Sequence, residues 1–311
     1  MALFTTPDGR RLEVETAGPV GAPVLLYHHG QPGSSTPYAV LAQLCADRGL
    51  RLVSYSRPGY GDSTRRPDVG RAWQVADDVA DAECVLDAVG ATGFVTLGWS
   101  GGGPRAIACA ALLPDRCAGA VSLAGVAPHS TDGRSPGMGE NWFVAMAEDN
   151  VRDYRASLEG EASLRPFLEE QAEQMCAVTA EEVAEALVGL LPPVDVAVLS
   201  GDLAEWLARQ LRGAVRRGPD GFVDDALVTM RPWGLDLAAV QVPVAVWQGT
   251  EDLMVPPGHG RWLAEHVAGA SDHLLTGEGH LSLLRQLPAM VDFLADTLDR
   301  FEARGPTAGT R

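Results

Sequence analysis

A recurring alternation constrains this chain more than any other feature: apolar runs of strand length, each followed by a stretch with helical periodicity. Val24–His28 is an apolar run of the kind a strand buried on both faces presents. A helical pattern over Pro37–Arg48 follows, then a strand at Leu50–Tyr55. Arg71–Val89 reads as a long helix with Asp77, Asp78, Asp81 and Asp87 opposite apolar Val75, Val79, Ala82 and Leu86. The alternation continues with a strand at Phe94–Leu97, a helix at Arg105–Leu113 and a strand at Ala118–Ala124. Upstream, Arg11–Ala17 alternates Leu12, Val14 and Thr16 with charged neighbours, which predicts an antiparallel strand, and Asp8-Gly9 is a hairpin-turn signal. Parallel strands need helix-length crossovers, so an α/β fold is expected, with a mostly parallel sheet and helices on both faces.

From about Ala127 to Leu237 the pattern changes to helices without strands between them: Asn141–Tyr154, Leu164–Cys176, Thr179–Leu191 and Leu203–Arg216. Thr179 and Glu182 have capping-box spacing, and Gly133, Gly137, Gly139, Pro192-Pro193 and Gly218-Pro219 punctuate the stretch. Strands return at Pro243–Gly249 and His273–Thr276, with helices at Gly258–Ala268 and Leu281–Phe301. The expected organisation is a core of residues 1–127 and 238–304, a helical cap inserted at 128–237, and a disordered tail at 305–311.

At 311 residues, 46% of them hydrophobic, the chain can bury a large core. Its formal charge is -17, with no basic run to face phosphates, so nucleic acid is not expected as a partner. All 24 basic residues are arginines, which excludes Schiff-base chemistry, pyridoxal-phosphate attachment and a P-loop lysine. No apolar run approaches the roughly 18 residues of a membrane span. Met1–Arg10 lacks the basic and apolar regions of a secretion signal, so a cytoplasmic location is expected. Cys45, Cys84, Cys109, Cys117 and Cys176 are scattered, which predicts reduced core residues. No metal-ligand spacing occurs, and Gly101-Gly-Gly103 lacks dinucleotide-loop spacing, so no cofactor is expected.

In sheets of this kind, sites lie outside the carboxyl ends of the strands. Gly98-Trp-Ser-Gly-Gly102 sits there, between the strand at Phe94–Leu97 and the helix at Arg105–Leu113. Glycines flanking a serine at a sharp strand-to-helix turn relieve the crowding of that turn, which makes Ser100 a candidate nucleophile. A serine hydroxyl needs an adjacent base. Of His28, His29, His129, His259, His266, His273 and His280, the last follows the final strand and is the base the topology favours. His259, His266 and His273 read as surface or structural residues. Asp252 and Glu251, directly after the strand at Val244–Gly249, could each hold the imidazole in its tautomer. Two oxyanion donors are expected from the backbone N–H groups of Gly101 and of Gln31, in the His29-Gly30-Gln31-Pro32-Gly33 loop.

These motifs, with Arg57-Pro-Gly-Tyr-Gly-Asp-Ser63, Gly249-Thr-Glu-Asp252 and Gly279-His280, fall in the order found in the α/β-hydrolase superfamily, which the chain resembles along nearly its whole length. The resemblance implies an α/β-hydrolase fold with a helical cap and a Ser100–His280–Asp252 triad, Asp252 being the acid because Val255-Pro256 follows it after a short loop. Relatives often carry Asp where this chain has Ser56, ahead of Arg57, a departure in loop detail outside the triad. Relatives with Asp as nucleophile are dehalogenases and epoxide hydrolases, and Ser100 argues against both.

The expected activity is cofactor-free serine hydrolysis of a small-molecule ester or lactone. The same triad also serves proline-releasing aminopeptidases, C–C hydrolases and perhydrolases in this superfamily. An aminopeptidase would want cap carboxylates, for which Glu140, Glu148, Asp149, Glu169 and Glu173 are available. A third reading, from another class, is a small-ligand receptor of the same fold. Gln31, Trp99, Trp142 and Met146 are candidate substrate contacts, and Phe143, Trp206 and Trp233 candidate pocket lining. A small molecule is the expected partner, and a homodimer is compatible with the sequence.

Overall fold

In a computed structural model that describes residues 1–67, 72–132, 136–187 and 191–303, eight strands form one sheet. They are β1 (Ala2–Thr5), β2 (Arg11–Ala17), β3 (Val24–His28), β4 (Arg51–Tyr55), β5 (Phe94–Trp99), β6 (Cys117–Leu123), β7 (Val244–Gly249) and β8 (Ser271–Leu275). Their spatial order is β1-β2-β4-β3-β5-β6-β7-β8. The first two pairings are antiparallel and all others parallel. β1 has no apolar run of its own and was not legible. It forms because Gly9, at φ +85, closes the hairpin that Asp8-Gly9 signals.

Helices α1 (Ala39–Asp47), α2 (Asp78–Ala88), α3 (Gly103–Leu112), α4 (Glu148–Glu159), α5 (Glu161–Met175), α6 (Ala180–Leu187), α7 (Pro193–Val196), α8 (Gly201–Ala214), α9 (Asp220–Met230), α10 (Pro257–His266) and α11 (Leu287–Ala303) complete the described elements. Alternation along a fully buried strand sends neighbours to opposite faces. Leu25, Leu52, Leu97 and Val121 pack with α1 and α11 through Leu41, Cys45, Met290 and Leu294. Leu26, Val53, Phe94 and Val244 pack with α2, α3 and α10 through Val85, Ile107 and Leu263. Buried as they are, both faces must be apolar, which is why the strands read as continuous runs.

The segment between β6 and β7 holds helices α4–α9 and, among the described residues, no strand. The capping box at Thr179 and Glu182 forms reciprocally, with the Thr179 N–H donating to the Glu182 carboxylate and the Glu182 N–H donating to the Thr179 hydroxyl. One expectation in this segment needs correction. The helix expected over Asn141–Tyr154 is instead a 3₁₀ turn (Gly139–Phe143) and then α4, because Ala145 takes φ +67 and the Ala147 N–H leaves to bond the Leu253 carbonyl. Helix α9 went unread because it is buried nearly all round, with Val223 and Leu227 in one core and Val228 in another, so its apolar residues mark no single stripe.

The helix expected from Arg71 is a 3₁₀ turn at Val75–Asp77 and then α2, with Arg71 outside the described residues. The tail at 305–311, Gly133 and the 188–190 part of Thr179–Leu191 also lie outside them. Asp78 and Asp81, on the acidic face opposite the apolar residues, are buried. Arginines arriving from elsewhere in the chain neutralise them: Arg66 and Arg105 on Asp78, Arg10 and Arg66 on Asp81. All five cysteines are unpaired, but Cys176 is exposed rather than a core residue. Among the described residues no helix is long and apolar enough to cross a membrane.

Candidate active site

Strand order reverses around β3: the chain runs from β3 to β4 on one side and returns to β5 on the other. A crevice opens where crossovers diverge to opposite sides in this way. The loops after β3 and β5 meet there, with His28 in register with Gly98. β5 ends at Trp99, and Ser100–Gly102 form a single 3₁₀ turn leading into α3. Ser100 has φ +55, the left-handed conformation that costs a non-glycine residue about 1 kcal/mol and aims its side chain off the turn.

The flanking glycines are steric requirements. A Cβ on Gly98 would lie 2.1 Å from the Gly102 carbonyl oxygen, and one on Gly102 would lie 2.1 Å from that of His28. Both obstacles are backbone and cannot swing away. Gly102→Ala is therefore expected to destabilise by about 3 kcal/mol or more, read as a lowered denaturation midpoint. A midpoint unchanged from wild type would refute this packing.

His280, in the loop after β8, donates from Nδ1 to Asp252 Oδ2 at 2.8 Å, leaving Nε2 as the basic nitrogen. Both residues are buried, and the His280 ring lies 5.4 Å from that of Trp99, the residue before Ser100. The Asp252 carboxylate is fixed by the N–H groups of Met254 and Val255 on Oδ1 and by Gln248 on Oδ2. Burial pulls the His280 pKa down, but the charge and hydrogen bond of Asp252, with a further contribution from Asp195, hold it above the usual imidazole value. Glu251, the other acid left open by the residue pattern, is exposed and contacts the Thr250 hydroxyl instead.

The other histidines have structural partners. The Arg57 N–H donates to His29 Nε2 at 3.2 Å, so Nδ1 carries the proton and donates to the Gly30 carbonyl at 2.7 Å. Burial, reinforced by Arg57, keeps His29 neutral, and the same causes push His28 down to about 3. His259 accepts from the Ala127 N–H and donates to the Trp142 carbonyl, and burial lowers its pKa to about 4. His266 and His273 stack on Trp262 and Trp247, and His129 contacts the Ser130 hydroxyl.

The predicted oxyanion donors lie close together: a Cβ on Gly101 would lie 3.5 Å from the Gln31 nitrogen. Arg57 explains how Gln31 is held. Its guanidinium donates to the carbonyls of His29 at 2.7 Å and Gly30 at 2.9 Å, the latter shared with His29 Nδ1. The Gly30 carbonyl and the Gln31 N–H belong to one rigid peptide plane, so two donors gripping the oxygen fix where the N–H points. Arg105 donates to the Gly101 carbonyl at 2.8 Å. Both arginines are neutralised by Asp225 of α9, which also accepts from the Tyr60 hydroxyl. Burial raises the pKa of Asp78, but Arg66, Arg105 and Arg57 hold it down to about 2. Ser56, where relatives often have Asp, accepts from the Ser35 N–H at 2.9 Å.

Trp99, Trp206 and Tyr38 form a continuous aromatic wall, with ring separations of 5.5 and 4.6 Å. The Gln31 side-chain oxygen accepts from the Thr229 hydroxyl of α9 at 3.2 Å. Trp142 is corrected as a substrate contact. It has no accessible surface, gives its N–H to the Ala127 carbonyl at 2.7 Å, and packs with Val126, Met230 and Val255, joining the helical segment to the sheet. Met146 and Phe143 lie in the same cluster, and Trp233 is buried against the α2–α3 side of the sheet.

Sequence reasoning missed Asp225, Arg105 and Asp195. A signal was present for two of them: Arg105 is a lone charge within an apolar helix, and Asp195 lies between valines.

An eight-stranded, mostly parallel sheet whose strand ends gather a serine elbow, a histidine and a carboxylate defines a hydrolase of α/β architecture. The chain belongs to the α/β hydrolase fold family, whose model matches residues 23–160. It is 30% identical over 295 residues, covering 93% of this chain and 98% of the relative, to the pimeloyl-[acyl-carrier protein] methyl ester esterase of Chromobacterium violaceum. A bifunctional esterase/perhydrolase of Acinetobacter calcoaceticus is 26% identical over 82% of this chain and 84% of its own length. Among solved structures, an esterase from Exiguobacterium antarcticum superposes with a TM-score of 0.63 at 18% identity, over 96% of this chain and 99% of that one.

Proposed function

We propose that the protein is a cofactor-free serine hydrolase acting on a small ester or lactone through an acyl-enzyme at Ser100. The observation that carries this is the buried His280–Asp252 hydrogen bond, set against the ring that precedes a serine in left-handed backbone. His280 Nε2 takes the Ser100 proton as the hydroxyl attacks the acyl carbon. Backbone N–H groups of Gln31 and Gly101 hold the oxyanion, and Asp252 stabilises the imidazolium. The protonated His280 then delivers its proton to the leaving group. Water, activated by the same imidazole, releases the acid.

An ester or lactone with an apolar acyl part is favoured by the wall of Tyr38, Trp99 and Trp206 and by the ester-cleaving relatives named above. The acids an aminopeptidase would need, Glu140, Glu148, Asp149, Glu169 and Glu173, are all exposed. Three of them are spent on neighbouring arginines. The test is labelling by a fluorophosphonate alongside a series of p-nitrophenyl acyl esters. Wild-type protein should label and turn over esters, and equal labelling of Ser100→Ala would refute the assignment.

The raised pKa of His280 fixes the sign of the pH dependence. A base must be neutral to accept a proton, so kcat/KM is expected to fall as pH drops through a value above the ordinary imidazole range. A rate constant flat from pH 5 to 8, near the usual imidazole pKa of about 6.5, would contradict this role.

A further inference from the structure

The loop that carries His280 is held by a second carboxylate, one that plays no part in the triad. Asp195 lies on α7, in the helical segment between β6 and β7, 85 residues from His280 in sequence and with no accessible surface. Its Oδ2 accepts from the His280 N–H at 2.7 Å, and its Oδ1 accepts from the N–H groups of Leu281 at 3.0 Å and Ser282 at 2.8 Å. The N–H before these, of Gly279, is taken by the Ser282 hydroxyl at 2.8 Å. Four consecutive amides of the loop are thereby satisfied, three of them by one side chain from another part of the fold. Gly279 permits the approach, since a Cβ there would lie 2.5 Å from the Asp195 carboxylate.

We propose that Asp195 is a positioning residue that couples docking of the helical segment to alignment of His280, a role that rests on the His280 base proposed above. Removing this carboxylate frees the backbone at the very residue whose imidazole must meet Ser100. Misplacement on the scale of 1 Å can cost about 10²-fold in rate. The charge acts too. The acids acting on the imidazole are Asp252, from the loop after β7, and Asp195 from α7. β5 contributes the uncharged Trp99 ring. Loss of one of these negative charges makes the protonated imidazole less favourable.

With p-nitrophenyl butyrate, Asp195→Asn is expected to lower kcat about 10- to 100-fold, with KM within about twofold of wild type. The acid limb of kcat/KM should move to lower pH by about half to one unit. Gly279→Ala, which keeps the charge but forces the carboxylate away, should lower kcat comparably. It serves as the test should Asp195→Asn fail to fold. A folded Asp195→Asn protein with the wild-type acid limb, or Gly279→Ala with wild-type kcat, overturns the proposal while leaving the triad intact. Full activity in His280→Ala would overturn the triad reading and this one together.

Discussion

Alanine at position 100 is expected to lower kcat by 10⁴–10⁶, on the order seen when a triad serine is removed, while thermal stability stays close to wild type. The two halves of this expectation have separate causes. Ser100 occupies a left-handed backbone conformation that serine and alanine tolerate about equally, so the substitution adds no backbone strain. The crowding at the elbow falls on Gly98 and Gly102, not on the serine side chain. What disappears is the atom that forms the acyl bond. A residual rate over water remains, because Gln31 and Gly101 still present their N–H groups. Active-site titration and steady-state kinetics on a p-nitrophenyl ester measure the loss directly. Turnover within about tenfold of wild type would remove Ser100 from the mechanism. Asp252→Asn provides an internal comparison, since an amide cannot hold the Nδ1 proton as the carboxylate does, and a loss of roughly 10⁴ is expected there.

The positions of the three residues proposed as a triad were legible in the sequence because topology fixes them. Ser100, Asp252 and His280 each follow a strand that is an unbroken apolar run or sits beside one, and parallel strands deliver their carboxyl ends to one rim. β3 was legible to the residue because Leu25 and Leu26 must each be apolar, one for each layer of helices. Periodicity gave the faces of α2 but not their surroundings. Asp78 and Asp81 form a polar stripe whether water or arginine covers it, and only the tertiary structure brings Arg66 and Arg105 there. The helical segment was harder to read for a related reason. Its helices bury residues against one another and against the sheet, so α9 has no solvent stripe to betray its period. Asp195 and Asp225 were missed because neither has a local partner; each finds its donors far away in sequence.

Asp225→Ala carries the largest expected cost in stability, about 3–5 kcal/mol, because it removes a carboxylate shared by two buried guanidiniums and leaves one of them without an ion-pair partner. Arg57 is 2% exposed and Arg105 1% exposed, and Asp225 binds both. Arg105 would retain Asp78, at 2.7 Å, so the heavier burden falls on Arg57, left with the carbonyls of His29 and Gly30. At a few degrees per kcal/mol for a chain of this size, a fall in Tm on the order of 10 °C should follow, with the denaturant m-value unchanged. The same substitution reaches the chemistry by a traceable route. Arg57 orients the Gln31 N–H by holding the opposite end of its peptide plane, so a loosened Arg57 blurs one of the two proposed oxyanion donors. Losing such a donor outright costs about 10²–10³ in kcat, which sets the upper bound here. The fluorophosphonate reaction should slow in parallel, since it passes through a similar anionic centre. Asp225→Asn, which preserves shape and one acceptor per arginine, should lie between wild type and alanine in both measurements. If Asp225→Ala melts within a degree of wild type and keeps its turnover, then the guanidiniums draw their compensation from elsewhere. Asp225 would in that case have no part in orienting the Gln31 N–H.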